Sequence, residues 1–190
     1  LANEEEYFFN EKTQKIDTKK SEKLIFPRYH QLNLIKKFRS QIKKDGVGNN
    51  YLVQHTTGSG KSYSIGWLSH TLTSLYQKDE DTKRMFDSII VVTDRKVLDN
   101  QLQKTIDDLK KNKGVVYPVE KGSSDLKKFL ESGKDIIIST IQKFPQISDT
   151  IASLGDKRFA VIIDEVHSSQ SGQLSKELKK SLSKDDDEDG

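Results

Sequence analysis

Hydrophobic residues recur through the central part of the chain in two alternating patterns, one spaced as in helices and one as in buried strands. In residues 28–44, Leu32, Ile35, Phe38 and Ile42 fall on one helical face, with lysines opposite. This spacing predicts an amphipathic helix. The same spacing predicts further helices over 62–76, 95–111 and 123–132.

Short apolar runs lie between these helices and predict strands. The run DSIIVVT, residues 87–93, is continuous and rich in β-branched residues, which is typical of a strand buried on both faces. Other runs predict strands over 51–55, 115–119, 135–140 and 159–165. Strands that alternate with helices form βαβ units. We therefore predict an α/β fold with a mostly parallel sheet flanked by helices.

The two ends of the chain lack this alternation. Residues 1–22 are charged and show no clear period, and we interpret them as a linker or the tail of an upstream domain. Residues 183–190 form an acidic cluster that we expect to be solvated and mobile. The chain begins on LANEEE rather than on methionine, so we expect it to be cut from a longer protein. The predicted folded lobe spans 23–182.

Composition narrows the class of protein. The 190 residues suffice for one α/β domain, and a net charge of +3 means that any nucleic-acid-binding surface must be local. The absence of cysteine excludes a disulfide framework and cysteine-ligated zinc. No apolar run approaches the roughly 18 residues that span a bilayer, and the N-terminus does not resemble a signal peptide. We therefore expect a cytoplasmic protein with no membrane contact.

The segment HTTGSGKS, residues 55–62, forms the turn between a predicted strand and the helix that follows it. Glycine there allows the backbone to approach an anion closely, and the N–H groups and helix N-terminus attract phosphate. Lys61 would reach the β- and γ-phosphates of a nucleotide, and the Ser62 hydroxyl would bind Mg²⁺. The predicted nucleotide-binding residues of this turn are Thr57, Gly58, Ser59, Gly60, Lys61 and Ser62.

This segment departs at one position from the usual phosphate-loop pattern, G-x-x-x-x-G-K-S/T. His55 stands where that pattern has its first glycine. The alternative interpretation is a flexible polar turn with an incidental lysine. The strand before and the helix after favour nucleotide binding.

Two adjacent carboxylates, Asp164 and Glu165, follow the last apolar strand, and His167 comes shortly after. At the carboxyl end of a parallel strand they would point into the crevice where ligands bind. We predict that Asp164 holds Mg²⁺, directly or through water, and that Glu165 orients and deprotonates the attacking water. Neighbouring carboxylates repel each other unless a cation is near, which favours a metal. The alternative is an exposed acidic turn.

Together, TGSGKS and DEVH resemble the helicase-type motor ATPases of superfamily 2, DExH branch, whose first motif often begins with a residue other than glycine. In order, FPRYHQ, QHTTGSGKS, VVTDRKVLDNQ, STIQKF and DEVHSSQSG resemble the motor subunit of type I restriction-modification enzymes over residues 26–172. The resemblance implies a RecA-like P-loop NTPase lobe in a bacterial or archaeal cytoplasm. It implies a motor that couples ATP hydrolysis to translocation of double-stranded DNA, followed by cleavage at a distance.

The resemblance also implies roles for individual residues. Gln31 matches the family glutamine that reads adenine, and Arg28 or Tyr29 would lie against the base; the alternative for Gln31 is a surface side chain. His167 matches the residue that links the nucleotide and nucleic-acid sites, and its alternative is capping or packing. The segments TDR and STIQKF match motifs that touch the DNA backbone, and their alternatives are helix capping and solvation. The candidate DNA contacts are Thr93, Arg95, Ser139, Thr140 and Lys143.

The resemblance further implies partners outside this chain. These are an upstream nuclease domain, a second RecA-like lobe that donates an arginine across the ATP cleft, and methyltransferase and specificity subunits. We therefore expect the chain alone to bind ATP·Mg²⁺ weakly and to hydrolyse it very slowly. Two other interpretations stay open: the first lobe of another superfamily 2 helicase or remodeller, and a catalytically idle nucleotide-binding scaffold. The intact set of Lys61, Ser62, Asp164 and Glu165 speaks against the scaffold.

Overall fold

The computed structural model describes residues 2–10, 13–23, 25–77, 82–93, 96–109, 115–120, 122–143, 154–155 and 157–164. The candidates Arg95, Glu165 and His167 and the acidic cluster at 183–190 lie outside these residues. The strands are β1 (Ala2–Asn10), β2 (Lys15–Lys23), β3 (Ser88–Thr93), β4 (Val116–Pro118), β5 (Ile136–Thr140) and β6 (Phe159–Ile163). The helices are α1 (Tyr29–Asp45), α2 (Lys61–Thr73), α3 (Lys96–Asp108) and α4 (Ser123–Glu131), with a 3-10 turn at Ile141–Lys143.

The central sheet contains four parallel strands in the order β4-β5-β3-β6. Every residue of β3 is buried, as its run of β-branched residues predicts for a strand covered on both faces. One apolar cluster, which includes Ile65, Leu102 and Ile106, packs α2 and α3 on one face. A second cluster, which includes Leu126 and Leu130, packs α4 on the other. The predicted α/β fold, a parallel sheet flanked by helices, is confirmed.

Close packing between α2 and α3 depends on a residue without a side chain. A Cβ atom at Gly66 would lie 2.7 Å from Leu109 Cδ1 and 3.5 Å from Ile106 Cγ1. The ring of His70, a residue of α2, also contacts α3, with Nε2 2.8 Å from the Ile106 carbonyl oxygen. These contacts hold α2 against α3. The position of α2 matters because its first residue is Lys61.

The strand predicted over 51–55 is wrong. The structure shows no regular structure there, and Leu52 is 96% exposed. Contacts with α1 position Tyr51 instead: its ring lies 5.2 Å from that of Phe38, and its hydroxyl donates a hydrogen bond to the Asp45 carboxylate. The apolar run is short, and a tertiary contact decides its conformation.

Residues 1–22 contain strands that the sequence analysis did not predict. β1 and β2 form an antiparallel hairpin in which Tyr7 pairs with Thr18 and Phe9 with Ile16. Tyr7, Phe9 and Ile16 are each at least 62% exposed. The apolar stretches that contain these three residues are too short for a two-residue period to be recognised in the sequence. The assignment of 1–22 to a linker or the tail of an upstream domain stays a prediction.

Candidate nucleotide site

The glycine-rich turn leads directly into α2. Gly58 and Gly60 have φ angles of +76° and +80°, a left-handed conformation that side chains with a Cβ rarely adopt. A Cβ at Gly60 would also lie 2.8 Å from the Gln31 side-chain nitrogen. The sequence therefore requires glycine at position 60 for two reasons, its backbone conformation and the close approach of α1.

Lys61 and Asp164 meet although they are far apart in the sequence. Lys61 Nζ lies 3.1 Å from Asp164 Oδ1. Asp164 directly follows β6, and its N–H donates to the Val92 carbonyl at 2.9 Å, which fixes the residue to β3. The carboxyl end of the sheet and the start of α2 thus bring together an ammonium and a carboxylate, the two groups that the sequence analysis assigned to one ligand.

The Asp164 carboxylate is only partly satisfied. Its side chain is 10% exposed, against 38% for Lys61. Lys61 is close, but Oδ1 has no hydrogen-bond partner among the described residues, so the contact is an ion pair without a hydrogen bond. The pair is therefore electrostatic. A nearly buried carboxylate oxygen in this state fits a ligand of a hard cation such as Mg²⁺.

Gln31 is a buried residue and not the surface side chain that the alternative interpretation predicted. It is 3% exposed. Its Nε2 donates to the Gly60 carbonyl at 3.0 Å, and its Oε1 accepts from the Arg28 N–H at 2.8 Å. Each amide atom retains capacity for one further hydrogen bond, so adenine reading by Gln31 stays a prediction. The Arg28 side chain is exposed at the same helix end, and its stacking role likewise stays a prediction.

Two histidines, His30 and His55, contact the Ser59 part of the turn, and the sequence pattern predicted a role for neither. His30 Nε2 lies 3.0 Å from the Ser59 carbonyl oxygen, and His55 Nδ1 lies 3.2 Å from the Ser59 hydroxyl. Partial burial, together with the nearby charges of His30 and Lys61, lowers the pKa of His55 below its ordinary value of 6.5. No periodicity in the sequence marks the contact of His30 with the turn.

The remaining candidates of the turn occupy less enclosed positions. Thr57 is exposed, and Ser62 is half-buried in the first turn of α2, next to Lys61. Their predicted roles, in nucleotide binding and Mg²⁺ binding respectively, stay predictions.

The candidate DNA contacts are mostly buried. Thr93, Ser139 and Thr140 end the two central strands and are at most 3% exposed. The Ser139 hydroxyl donates to the Thr140 carbonyl at 3.3 Å, and the Lys143 ammonium donates to the Val119 carbonyl. The sheet register aligns Thr93 with Thr140 at its carboxyl edge. A DNA contact by the three hydroxyls requires a conformation that exposes them.

The fold and this site define a helicase-like P-loop ATPase lobe of the RecA type. The SWI2/SNF2 ATPase family matches residues 30–186, and the chain belongs to this family. The predicted resemblance is thereby confirmed at the level of the family.

Similar proteins narrow the resemblance further. The chain is 31% identical over 137 residues to the endonuclease subunit of a type I restriction enzyme from Staphylococcus aureus, strain COL. That alignment covers 70% of this chain and 14% of the relative, so the chain spans a small part of the whole subunit. It is also 29% identical over 168 residues to the C-terminal part of a type I restriction enzyme endonuclease subunit from Mycoplasma pneumoniae. This second alignment covers 80% of the chain and 76% of the relative.

In the part of the chain that the structure describes, no helix is long and apolar enough to cross a membrane.

Proposed function

We propose that this chain is the first motor lobe of a type I restriction endonuclease subunit and that it binds ATP·Mg²⁺ at the carboxyl edge of the sheet. The single observation that carries the proposal is the 3.1 Å approach of Lys61 Nζ to Asp164 Oδ1. A phosphate-binding lysine and a metal-binding carboxylate must lie near each other on one side of the sheet to act on one triphosphate. The relatives, which are type I restriction endonuclease subunits, support the same proposal.

Each group of the site has a proposed role. Lys61 binds the β- and γ-phosphates, and the N–H groups of the turn face the same anion. Asp164 and Ser62 hold Mg²⁺, which neutralises phosphate charge when bound. Glu165, the proposed base for the attacking water, and His167, the proposed link to DNA, follow Asp164 directly in the sequence.

The whole motor requires partners that act on this lobe. We propose that a second RecA-like lobe completes the ATP cleft and that the duplex runs along the carboxyl edge near Thr93, Arg95, Ser139, Thr140 and Lys143. Because the hydroxyls of Thr93, Ser139 and Thr140 are buried in this structure, their contacts with DNA would require a change of conformation that exposes them. Backbone contacts of this kind position DNA without reading its sequence. Methyltransferase and specificity subunits would complete a cytoplasmic restriction complex. The chain alone would therefore hydrolyse ATP very slowly.

A titration of the chain with a fluorescent ATP analogue and Mg²⁺ tests the proposal. Lys61→Ala should weaken binding by about 100-fold, because one charged donor to phosphate in a partly enclosed site contributes about 2.7 kcal/mol. Lys83→Ala, at an exposed lysine in the segment before β3, is the matched control and should bind as the natural chain does. Equal affinity for Lys61→Ala and the natural chain, or no binding by either, would favour the scaffold interpretation.

A second candidate is the first lobe of a remodeller-like motor without a nuclease. The match to the SWI2/SNF2 ATPase family as a whole favours it. The two candidates differ in what the full-length protein does with DNA and ATP. A restriction subunit should cut unmodified DNA when methyltransferase and specificity subunits are added, whereas a remodeller-like motor should move along DNA and leave it intact.

A further inference from the structure

Two consecutive carbonyl groups of the glycine-rich turn face α1, and each contacts a side chain of that helix. The Ser59 carbonyl contacts His30 at 3.0 Å, and the Gly60 carbonyl accepts from Gln31, also at 3.0 Å. The Gly60 carbonyl accepts in addition from the Ser64 N–H at 3.2 Å, the first hydrogen bond of α2. The first turn of α1 thus holds both carbonyls on the side away from the ligand that the turn would bind.

The direction of these carbonyls fixes the direction of the neighbouring N–H groups. A trans peptide is planar, and its C=O and N–H point to opposite sides. When the Ser59 carbonyl points to α1, the Gly60 N–H must point away from α1. The same reasoning applies to the Gly60 carbonyl and the Lys61 N–H. A phosphate loop needs its N–H groups on one concave side, so contacts that hold the carbonyls prepare the turn for an anion.

The chemistry and the position of His30 suit it to hold the Ser59 carbonyl. A carbonyl oxygen can only accept, so His30 Nε2 must carry the proton in this contact. His55 contacts the hydroxyl of the same serine, and the two imidazole rings lie 5.9 Å apart in an edge-on arrangement. Ser59 is therefore held through its backbone by one histidine and through its side chain by the other.

We propose that His30 is a positioning residue of the phosphate loop, which aims the Gly60 N–H at the polyphosphate chain of the ligand. This inference rests on the proposed nucleotide binding. It separates the roles of two adjacent residues of α1. His30 acts only on the loop, and therefore on phosphate, whereas Gln31 also has spare hydrogen-bonding capacity for a base.

Binding of Mg²⁺·ATP and of inorganic tripolyphosphate to the 190-residue chain tests this role. His30→Phe retains a ring but loses the donor. It should weaken both ligands about fivefold, the effect of one net hydrogen bond. His30→Gln places an amide N–H at a similar reach and should restore binding to within about twofold of the natural chain. Lys37→Ala, at an exposed position further along α1, is the control for surface changes on the helix.

The outcomes separate this inference from the proposed function. Equal affinity of His30→Phe and the natural chain for tripolyphosphate, with Lys61→Ala still impaired, would overturn the positioning role and leave nucleotide binding intact. Weaker binding by His30→Phe that His30→Gln does not restore would also overturn the positioning role, because that role requires a hydrogen-bond donor at position 30 and not an aromatic ring. Failure of the natural chain to bind either ligand would overturn both proposals. Loss for both ligands with rescue by glutamine supports the positioning role.

Discussion

Two ion pairs lie at opposite edges of the same sheet. At the carboxyl edge, Lys61 approaches Asp164 at 3.1 Å. At the amino edge, Arg84 approaches Asp135, the residue before β5, at 2.5 Å. Each pair joins segments that are distant in the sequence and each contains one cation and one carboxylate, yet the surroundings of the two carboxylates differ.

The amino-edge pair is part of a hydrogen-bond network that joins the segments before three strands. The Arg84 guanidinium donates directly to Asp135, and this bond is the main reason that the pKa of Arg84 is raised above its ordinary value. The Arg158 guanidinium donates to the Arg84 carbonyl at 2.9 Å, and the Arg158 N–H donates to the Asp87 carboxylate at 2.7 Å. These bonds fix the starts of β3, β5 and β6 relative to one another. The network is structural.

The carboxyl-edge pair is open by comparison. Asp164 is the more buried of the two aspartates, with 10% of its side chain exposed against 31% for Asp135. Even so, its Oδ1 has no hydrogen-bond partner among the described residues. Lys61 balances the charge of this carboxylate, but a buried oxygen without a hydrogen bond is uncommon in native structures, and a bound ion is one of the features that explain it. The degree of hydrogen bonding, rather than the presence of charge, distinguishes the two pairs, and this difference supports the binding role proposed for the carboxyl-edge pair.

Neutralising each aspartate should produce the largest difference between the two ion pairs. We expect Asp164→Asn to lower the affinity for Mg²⁺·ATP by about 100-fold, because the proposed metal site would lose a charged ligand, and to leave the midpoint of thermal unfolding unchanged or raised. Asp135→Asn should have the opposite profile: unchanged affinity, and a loss of about 1 kcal/mol in the free energy of unfolding, discounted for its exposure. Nucleotide titration and thermal melts measure both. Similar profiles for the two variants would mean that the edges do not differ in role.

Glycines on the two edges allow a smaller test of the same contrast. Gly60 has φ +80° in the glycine-rich turn, and Gly133 has φ +63° in the turn between α4 and β5. Alanine at either position should cost about 1 kcal/mol of backbone strain. Only at position 60 would the new Cβ meet a neighbour, the Gln31 amide nitrogen at 2.8 Å.

We therefore expect Gly60→Ala to weaken Mg²⁺·ATP binding about tenfold, since strain and a displaced Gln31 both disturb the turn. Gly133→Ala should lower the free energy of unfolding by about 1 kcal/mol and leave affinity unchanged. Affinity and chemical denaturation of the two variants provide the measurement. An affinity loss at Gly133 as large as that at Gly60 would show that strain anywhere in the sheet reaches the site.

The central strands of the sheet could be predicted because a strand that is buried on both faces is a continuous run of hydrophobic residues. The β-branched runs at β3 and β5 and the apolar run at β6 lie where continuous hydrophobicity predicted strands. The segment 51–55 failed because the outcome depends on Tyr51 packing against α1, which no local pattern encodes. The hairpin at the N-terminus was missed for a related reason, since its apolar period occupies one face of two charged strands.

The site was predictable in part. The meeting of Lys61 and Asp164 follows from topology, because the carboxyl ends of parallel strands and the helix that follows the loop share one edge. The burial of Thr93 and Thr140 could not be predicted in the same way. The position of a residue at a strand end shows at which edge of the sheet it lies but not how deeply its side chain is buried. The contact of His30 with Ser59 joins side chain and backbone 29 residues apart, and no periodicity marks it.

The smallest expected difference between the edges lies in their response to pH. Burial, His30 and Lys61 hold the pKa of His55 below 6.5, whereas the raised pKa of Arg84 keeps its guanidinium charged over the same pH range. As pH falls through 6.5, His55 becomes protonated in the unfolded chain but stays neutral in the folded chain. The free energy of unfolding that a neutral His55 contributes at neutral pH is therefore lost progressively, until the pH reaches the lower pKa of His55 in the folded chain. Between about pH 7.5 and about pH 5.5, the midpoint of thermal unfolding should therefore fall less in His55→Gln than in the natural chain. Because the two proteins differ only at position 55, equal falls would show that the turn does not disfavour a charged His55.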